Sequence, residues 1–269
     1  MRIHAIQTGT LAVKRRQFRA QGEGLRRRLD LLLDRTWTEP LPIYAWLIEH
    51  PEGLIVVDTG ETSLAAQSFT PGLREWVRPD EEIGMRLQAL RVNPHDVRLV
   101  ILTHLHMDHR DGLHYFPRAQ ILAAKRELDG RRGPSGQVAG YYSAALPRTR
   151  PITFQSGALG PFPVSETVTA AGDVVLVPTP GHTLGHLSVI VREGETALFF
   201  AGDATYTEQL LIERTLDGSA EDEKAWYQTV DRIVDYTRTQ PTVYLPAHDP
   251  LAAQRLATRT TVAINAAVP

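Results

Sequence analysis

The sequence predicts a layered α/β (α+β) protein, and three observations carry that expectation. Short β-branched and aliphatic runs recur along the chain, helical spacings fall between groups of them, and metal-binding residue types stand where several runs end. With 269 residues, 42% hydrophobic and 22% charged, there is ample core-forming material. No internal repeat, low-complexity tract or linker is visible, so a single domain over 1–269 is expected.

The elements follow in order. "IYAWLIEH" (43–50), the turn "PEG" and "LIVVDTG" (54–60) predict a β-hairpin. A helix is expected over 81–91. "VRLVILT" (97–103) is a β-branched and aliphatic run, as in a strand covered on both faces, and "AQILAA" (119–124) is another short strand. Residues 130–163 are rich in Gly and Pro and are expected to be mostly loop. Three strands come next: "DVVLVPT" (173–179), "LSVIVRE" (187–193) and "ALFFAGD" (197–203), the last two joined by a Gly-containing turn. Trp226, Val230, Ile233 and Val234 have helical spacing within 221–238. "TVYLPAHD" (242–249) is a final strand, with a helix from about residue 250.

Segment 14–35 stands apart, with Lys14, Arg15, Arg16, Arg19, Arg26, Arg27, Arg28 and Arg35 against Glu23, Asp30 and Asp34. Leu25, Leu29, Leu32 and Leu33 have helical spacing, so an amphipathic helix is expected, its apolar stripe packed on the body or on a partner subunit. Binding of an anionic partner is the alternative.

Composition removes several function classes. Lys+Arg 29 against Asp+Glu 31 leaves a net charge of −2, so no global field draws nucleic acid or a membrane surface. The chain has no cysteine, which excludes disulfides, thiolate catalysis and thiolate metal ligation. The opening "MRIHAIQTGTLAVKRRQF" lacks a signal-peptide core and no apolar run is long enough to span a bilayer; a cytoplasmic protein is expected.

Chemistry concentrates in "THLHMDH" (103–109), which places three of the chain's 10 histidines within six positions. A lone histidine is usually an ordinary core or surface residue, and His4, His50, His95 and His114 are read that way. A spaced cluster at the carboxyl end of a strand is different, because ligand sites in α/β sheets sit there. In an extended turn His104 and His106 point the same way. Asp108 and His109 follow, able to face the same cavity from another side. His182 in "TPGHTLGH", Asp203 in "AGDATY" and His248 in "LPAHD" also stand at strand ends beside Gly or Pro. Five imidazoles and two carboxylates suit two divalent ions, and these ligand types admit Zn, Fe, Mn or Co.

"THLHMDH", "TPGHTLGH", "AGD" and "AHD", in that order, resemble the metallo-β-lactamase superfamily, whose fold is an αββα sandwich. The resemblance runs from Asp58 to His248. It implies that His104, His106 and His182 bind one metal, that Asp108, His109 and His248 bind the other, and that Asp203 bridges them. Zn is its first choice of metal. Asp58 of "VVDTG" and His186 would support the ligands. Cysteine-ligated β-lactamases are excluded by Asp203 and the absence of Cys; other β-lactamases lack the bridging aspartate. A diiron oxygen reductase would carry Glu in place of His106 and a flavin domain.

"GDATY" is also similar to the N-acyl-homoserine lactone lactonases, through Tyr206 three residues after Asp203; the stretch "RDGLHYF" departs from their usual small-Gly form. This likeness implies lactone opening by a hydroxide held between two metals, which lower the pKa of water from 15.7 toward about 7. Tyr206 and one metal would stabilise the oxyanion, and Asp108 would carry a proton to the leaving oxygen. It also implies a small-molecule lactone substrate and a homodimer. Another lactone, ester, thioester or organophosphate on the same site is the nearest alternative. A nucleic-acid phosphodiesterase is a further one, suggested by the basic segment 14–35.

Overall fold

Two sheets arise from the aliphatic runs. The computed structural model describes residues 1–130 and 146–264. β1 (Arg2–Val13), β2 (Leu41–His50), β3 (Gly53–Val57), β4 (Leu73–Trp76), β5 (Val97–Ile101), β6 (Gln120–Ala124) and β7 (Thr149–Ile152) form the first sheet, in the order β4-β1-β2-β3-β5-β6-β7. β8 (Glu166–Thr167), β9 (Val174–Pro178), β10 (Leu187–Glu193), β11 (Thr196–Gly202) and β12 (Thr242–Pro246) form the second, in the order β12-β11-β10-β9-β8. The hairpin β2–β3 is antiparallel, whereas β3, β5, β6 and β7 run parallel. β12 adds to β11 in parallel.

Among the described residues the α-helices are α1 (Arg15–Phe18), α2 (Gly24–Leu33), α3 (Ile83–Ala89), α4 (Met107–Arg110), α5 (Lys125–Gly130), α6 (Glu208–Ile212), α7 (Glu223–Thr239) and α8 (Ala252–Thr258). Alternation along each strand sorts its side chains between layers. Trp46, Ile48, Val57 and Ile101 of the first sheet meet Val189, Val191, Leu198 and Phe200 of the second in the central core. Their neighbours Ala45, Leu47, Val56 and Val100 face the other way, onto Ile83 and Leu87 of α3. Ile190 and Phe199 likewise turn outward onto Trp226, Val230 and Ile233 of α7. The result is an αββα sandwich. Trp46 and Trp226 are fully buried, one in each type of layer, and truncating either to Ala should cost about 3–5 kcal/mol.

The expected hairpin, the strands of both central groups, the helix within 81–91 and that within 221–238 are all present, most with ends trimmed by one to three residues. Three expectations need correction. Within 146–163, the described part of the expected loop, β7 adds a parallel edge strand, while 131–145 lies outside the described residues. β1, the longest strand described, has no counterpart among the expected elements, because a register shift between Gln7 and Thr10 breaks its alternation. Segment 14–35 is indeed helical, but α2 is turned the other way round. Leu25, Leu29, Leu32 and Leu33 are 58–80% exposed, and Arg27 is the buried residue of the helix.

Candidate metal centre

The carboxyl ends of the strands converge on one pocket. Asp58 follows β3, the 104–109 cluster follows β5, His182 follows β9, Asp203 follows β11 and His248 follows β12. Gly202 is left-handed, at φ +55°, and a Cβ there would lie 2.7 Å from the Thr103 side chain. Only glycine lets the chain turn Asp203 into the site at that point.

The imidazoles and carboxylates that the sequence singles out lie together. Nδ1 of His106 lies 2.9 Å from Nε2 of His104 and 3.0 Å from Nε2 of His182, a trio able to hold one ion. Asp108, His109 and His248 form a second such group. Asp203 stands between them. Its Oδ2 is 3.5 Å from His182 Nε2 and 4.0 Å from His104 Nε2, while its Oδ1 is 3.4 Å from His109 Nε2 and 3.3 Å from His248 Nε2. Each carboxylate oxygen thus faces a different set of nitrogens.

The rear nitrogens are held by the protein, which turns the other ring nitrogen inward. His109 Nδ1 meets Asp58 Oδ2 at 2.8 Å, His248 Nδ1 donates to the Pro42 carbonyl at 2.9 Å, and His182 Nδ1 pairs with Asp217 Oδ2. Asp58 also accepts from the Thr103 backbone and hydroxyl, at 2.8 and 2.9 Å, and so fixes the turn that carries His104. His186 is buried; its Nε2 accepts the Asp203 N–H at 3.0 Å and its Nδ1 contacts Thr179 Oγ1 at 2.8 Å. It supports Asp203 through the backbone.

This donor set fits divalent cations. His109 Nε2 and Asp203 Oδ1 are buried with no hydrogen-bond partner, an arrangement that costs free energy unless a cation takes the lone pairs. The charges agree. Burial favours a neutral His248, yet Asp203 and Asp108 push it up to about 10. Burial opposes charge on Asp108, yet His109 and His248 hold its carboxyl down at about 2. Burial and the surrounding rings His109, His106 and His182 press His104 well below its usual value. The carboxylates demand positive charge, and the crowded imidazoles cannot all supply it as protons.

Tyr206 forms one wall of a cavity of about 540 Å³ that opens over Asp108, Asp203 and His248. Its ring packs against His182 and His248, with centroids 5.8 and 5.6 Å away. Burial raises the phenol well above its ordinary value, and Asp217 and Asp203 add to that, so the hydroxyl keeps its proton. Leu11, Val13, Leu31, Leu73 and Met107 give the cavity an apolar side. Of the remaining histidines, His4 pairs with Glu49 and His50 with Asp173, away from this cavity.

Sequence reasoning missed several residues. Buried Glu127 accepts from Leu105 N at 3.1 Å, Gly185 N at 3.1 Å and Thr183 Oγ1 at 2.8 Å, strapping the 104–109 loop to the 182–186 loop. Asp217 and Ser219 stand behind His182 and Tyr206. Each acts from another part of the chain, so no local pattern marks it.

Residues 38–248 match the model of the metallo-β-lactamase superfamily, and with the sandwich and its site this shows that the chain belongs to that superfamily. It is a hydrolase of a class that works with divalent metal ions. Among its relatives, the N-acyl homoserine lactonase AttM of Agrobacterium fabrum is 26% identical over 261 residues, covering 93% of this chain and 94% of that one. A probable metallo-hydrolase of Mycobacterium tuberculosis is 32% identical over 186 residues, covering 64% and 58%. The crystal structure of a quorum-quenching N-acyl homoserine lactone hydrolase shares the fold with a TM-score of 0.73 at 21% identity, covering 92% of each chain.

Proposed function

We propose that this protein opens the lactone ring of N-acyl-homoserine lactones on a dinuclear metal site. The observation that carries the reading is the split of Asp203, one carboxylate oxygen toward His104 and His182 and the other toward His109 and His248, with Tyr206 on the same cavity wall. Two divalent ions, Zn in the first instance, would be held by His104, His106 and His182 and by Asp108, His109 and His248, with Asp203 shared. When bound, such ions acidify water toward neutral pH and withdraw charge from a carbonyl oxygen.

The chain's own residues do the rest. The apolar wall receives the acyl chain and sheds bulk water from it. The Tyr206 hydroxyl, which retains its proton, donates to the carbonyl oxygen as negative charge develops on it. Asp108 takes the proton of the attacking water and delivers it to the ring oxygen as the C–O bond breaks. Water is thereby added across the ester bond, giving the acyl-homoserine. The domain over 1–269 acts as one hydrolase, and a homodimer is part of the reading: the outward leucines of α2 are apolar surface of the kind soluble monomers seldom leave uncovered.

The test is a panel of acyl-homoserine lactones, a plain lactone, a thioester, a phosphotriester and a phosphodiester, assayed with metal-reconstituted protein beside elemental analysis and light scattering. Two ions per chain and preferred turnover of acyl-homoserine lactones are expected. One ion or none after reconstitution overturns the dinuclear site. Preference for another panel member redirects the substrate to that class. The phosphodiester is disfavoured because Arg27, in the middle of the basic segment, is turned inward onto protein carbonyls.

A further inference from the structure

Arg27 sits on an exposed helix, yet it is 4% exposed. Its Nη1 donates to the carbonyls of Gly218 at 2.6 Å and Asp217 at 3.2 Å, its Nη2 to that of Ala220 at 2.9 Å, and its Nε to Glu223 Oε1 at 2.7 Å. One guanidinium fork therefore collects three carbonyls of a single turn, 217–220. The turn is held from the same N-terminal segment a second time, by Gly218 N donating to the Gln17 carbonyl at 2.7 Å.

The opposite side of that turn faces the metal centre. Asp217 is buried, and its two oxygens do different things. Oδ2 pairs with His182 Nδ1, while Oδ1 accepts the Ser219 N–H at 2.7 Å and the Ser219 hydroxyl at 2.6 Å. With the Ser219 proton given to Asp217, the Tyr206 hydroxyl 3.2 Å away rests its one proton on Ser219 Oγ in the free protein, and it turns that proton to the substrate carbonyl oxygen when substrate binds. The same short turn thus aims a metal-site imidazole and locates the phenol oxygen.

We propose that Arg27 is a positioning residue of the hydrolytic site: by gathering the 217, 218 and 220 carbonyls it sets the turn through which Asp217 orients His182 and Ser219 locates Tyr206. The proposal rests on the hydrolytic reading of this site and extends it to the basic N-terminal segment. Lysine cannot replace the arginine, because an ammonium on a flexible stem has no planar fork to span three carbonyls, although it keeps the ion pair with Glu223.

Arg27→Lys, Asp217→Asn and Ser219→Ala, alone and combined, test this with two readouts: kcat and KM on the best substrate, and the rate at which a chelator strips zinc. Arg27→Lys should lower kcat about 10-fold with little change in KM and speed zinc loss to a similar extent, the scale seen when a ligand's outer partner is lost. Ser219→Ala should lower kcat more than it speeds zinc loss, since it removes the contact to Tyr206 but only one of the hydrogen bonds that Asp217 accepts. In the Asp217→Asn, Ser219→Ala background, Arg27→Lys should add less than about 2-fold, because it acts through those residues. Wild-type kcat and zinc retention in folded Arg27→Lys overturn the proposal. So does a full, independent loss in the combined variant, or a Ser219→Ala protein with unchanged kcat, which needs no substitution at Arg27. If the wild type opens no acyl-homoserine lactone, the lactonase reading fails. Zinc loss, and kcat on whichever ester is hydrolysed, still decide the role of Arg27.

Discussion

In the proposed reaction, Tyr206 is the residue on which lactone chemistry and generic metal-assisted hydrolysis would separate. Its ring is packed between His182 and His248, so Tyr206→Phe keeps the wall of the cavity and removes one hydrogen-bond donor. Loss of a single oxyanion donor can cost about 10²–10³ in turnover; with a metal sharing the oxygen, a loss of roughly 10- to 100-fold in kcat is expected. KM should move less, since the interaction strengthens in the transition state. Steady-state kinetics with elemental analysis check this. Unchanged lactone kinetics at full metal content would show that the hydroxyl plays no part.

At the scale of elements, the site is a joint between two loops that end strands of different sheets. Glu127, at the start of α5, ties them: Leu105 N lies on one loop, and Thr183 Oγ1 and Gly185 N lie on the other. The fit is close, since a Cβ on Gly185 would come within 2.1 Å of the Glu127 backbone nitrogen. Glu127→Gln replaces one acceptor oxygen by a donor facing donors. A buried group left unpaired costs about 1–3 kcal/mol, so the denaturation midpoint should fall by that equivalent and zinc should exchange faster. Denaturant titration of the metal-stripped and loaded forms measures both. A variant matching the wild type in both would mean that the loops are held in place without this strap.

Across the whole molecule, a second set of carboxylates shapes the dependence of stability on pH. Glu61 is 1% exposed; burial first, then Asp111, raises its carboxyl to about 9. Glu75 is raised to about 8, by burial and by Asp108. A group whose folded pKa lies above its unfolded value keeps its proton in the native state after the unfolded chain has lost it. Stability from Glu61 therefore falls as pH rises from about 4.5 toward about 9. Glu61→Gln, which stays neutral, should raise the Tm of metal-stripped protein at pH 8.5, with the gain shrinking toward pH 5. Parallel Tm curves for the two proteins would mean that Glu61 is ionised in the native state.

The candidate metal-binding constellation and most of the sandwich are legible in the chain because both are written locally. His104, His106, Asp108 and His109 lie within one turn after a strand, and His182, Asp203 and His248 each follow an aliphatic run, so spacing alone marks them. The central strands show as continuous apolar runs because both faces are covered. β1 escapes notice for the opposite reason: its bulge breaks the alternation that would reveal it. What joins distant segments is set only by tertiary structure. Asp217 behind His182, Glu127 between the loops and Ser219 beside Tyr206 are ordinary polar residues until the fold brings their partners near. α2 makes the point most directly. Its leucine stripe predicts an inward apolar face, but Arg27 reaches carbonyls and a carboxylate some 190 positions away, and those charge-assisted bonds turn the helix so that the leucines face out. Periodicity reports what a segment would bury by itself; which face is buried depends on what the rest of the chain presents to it.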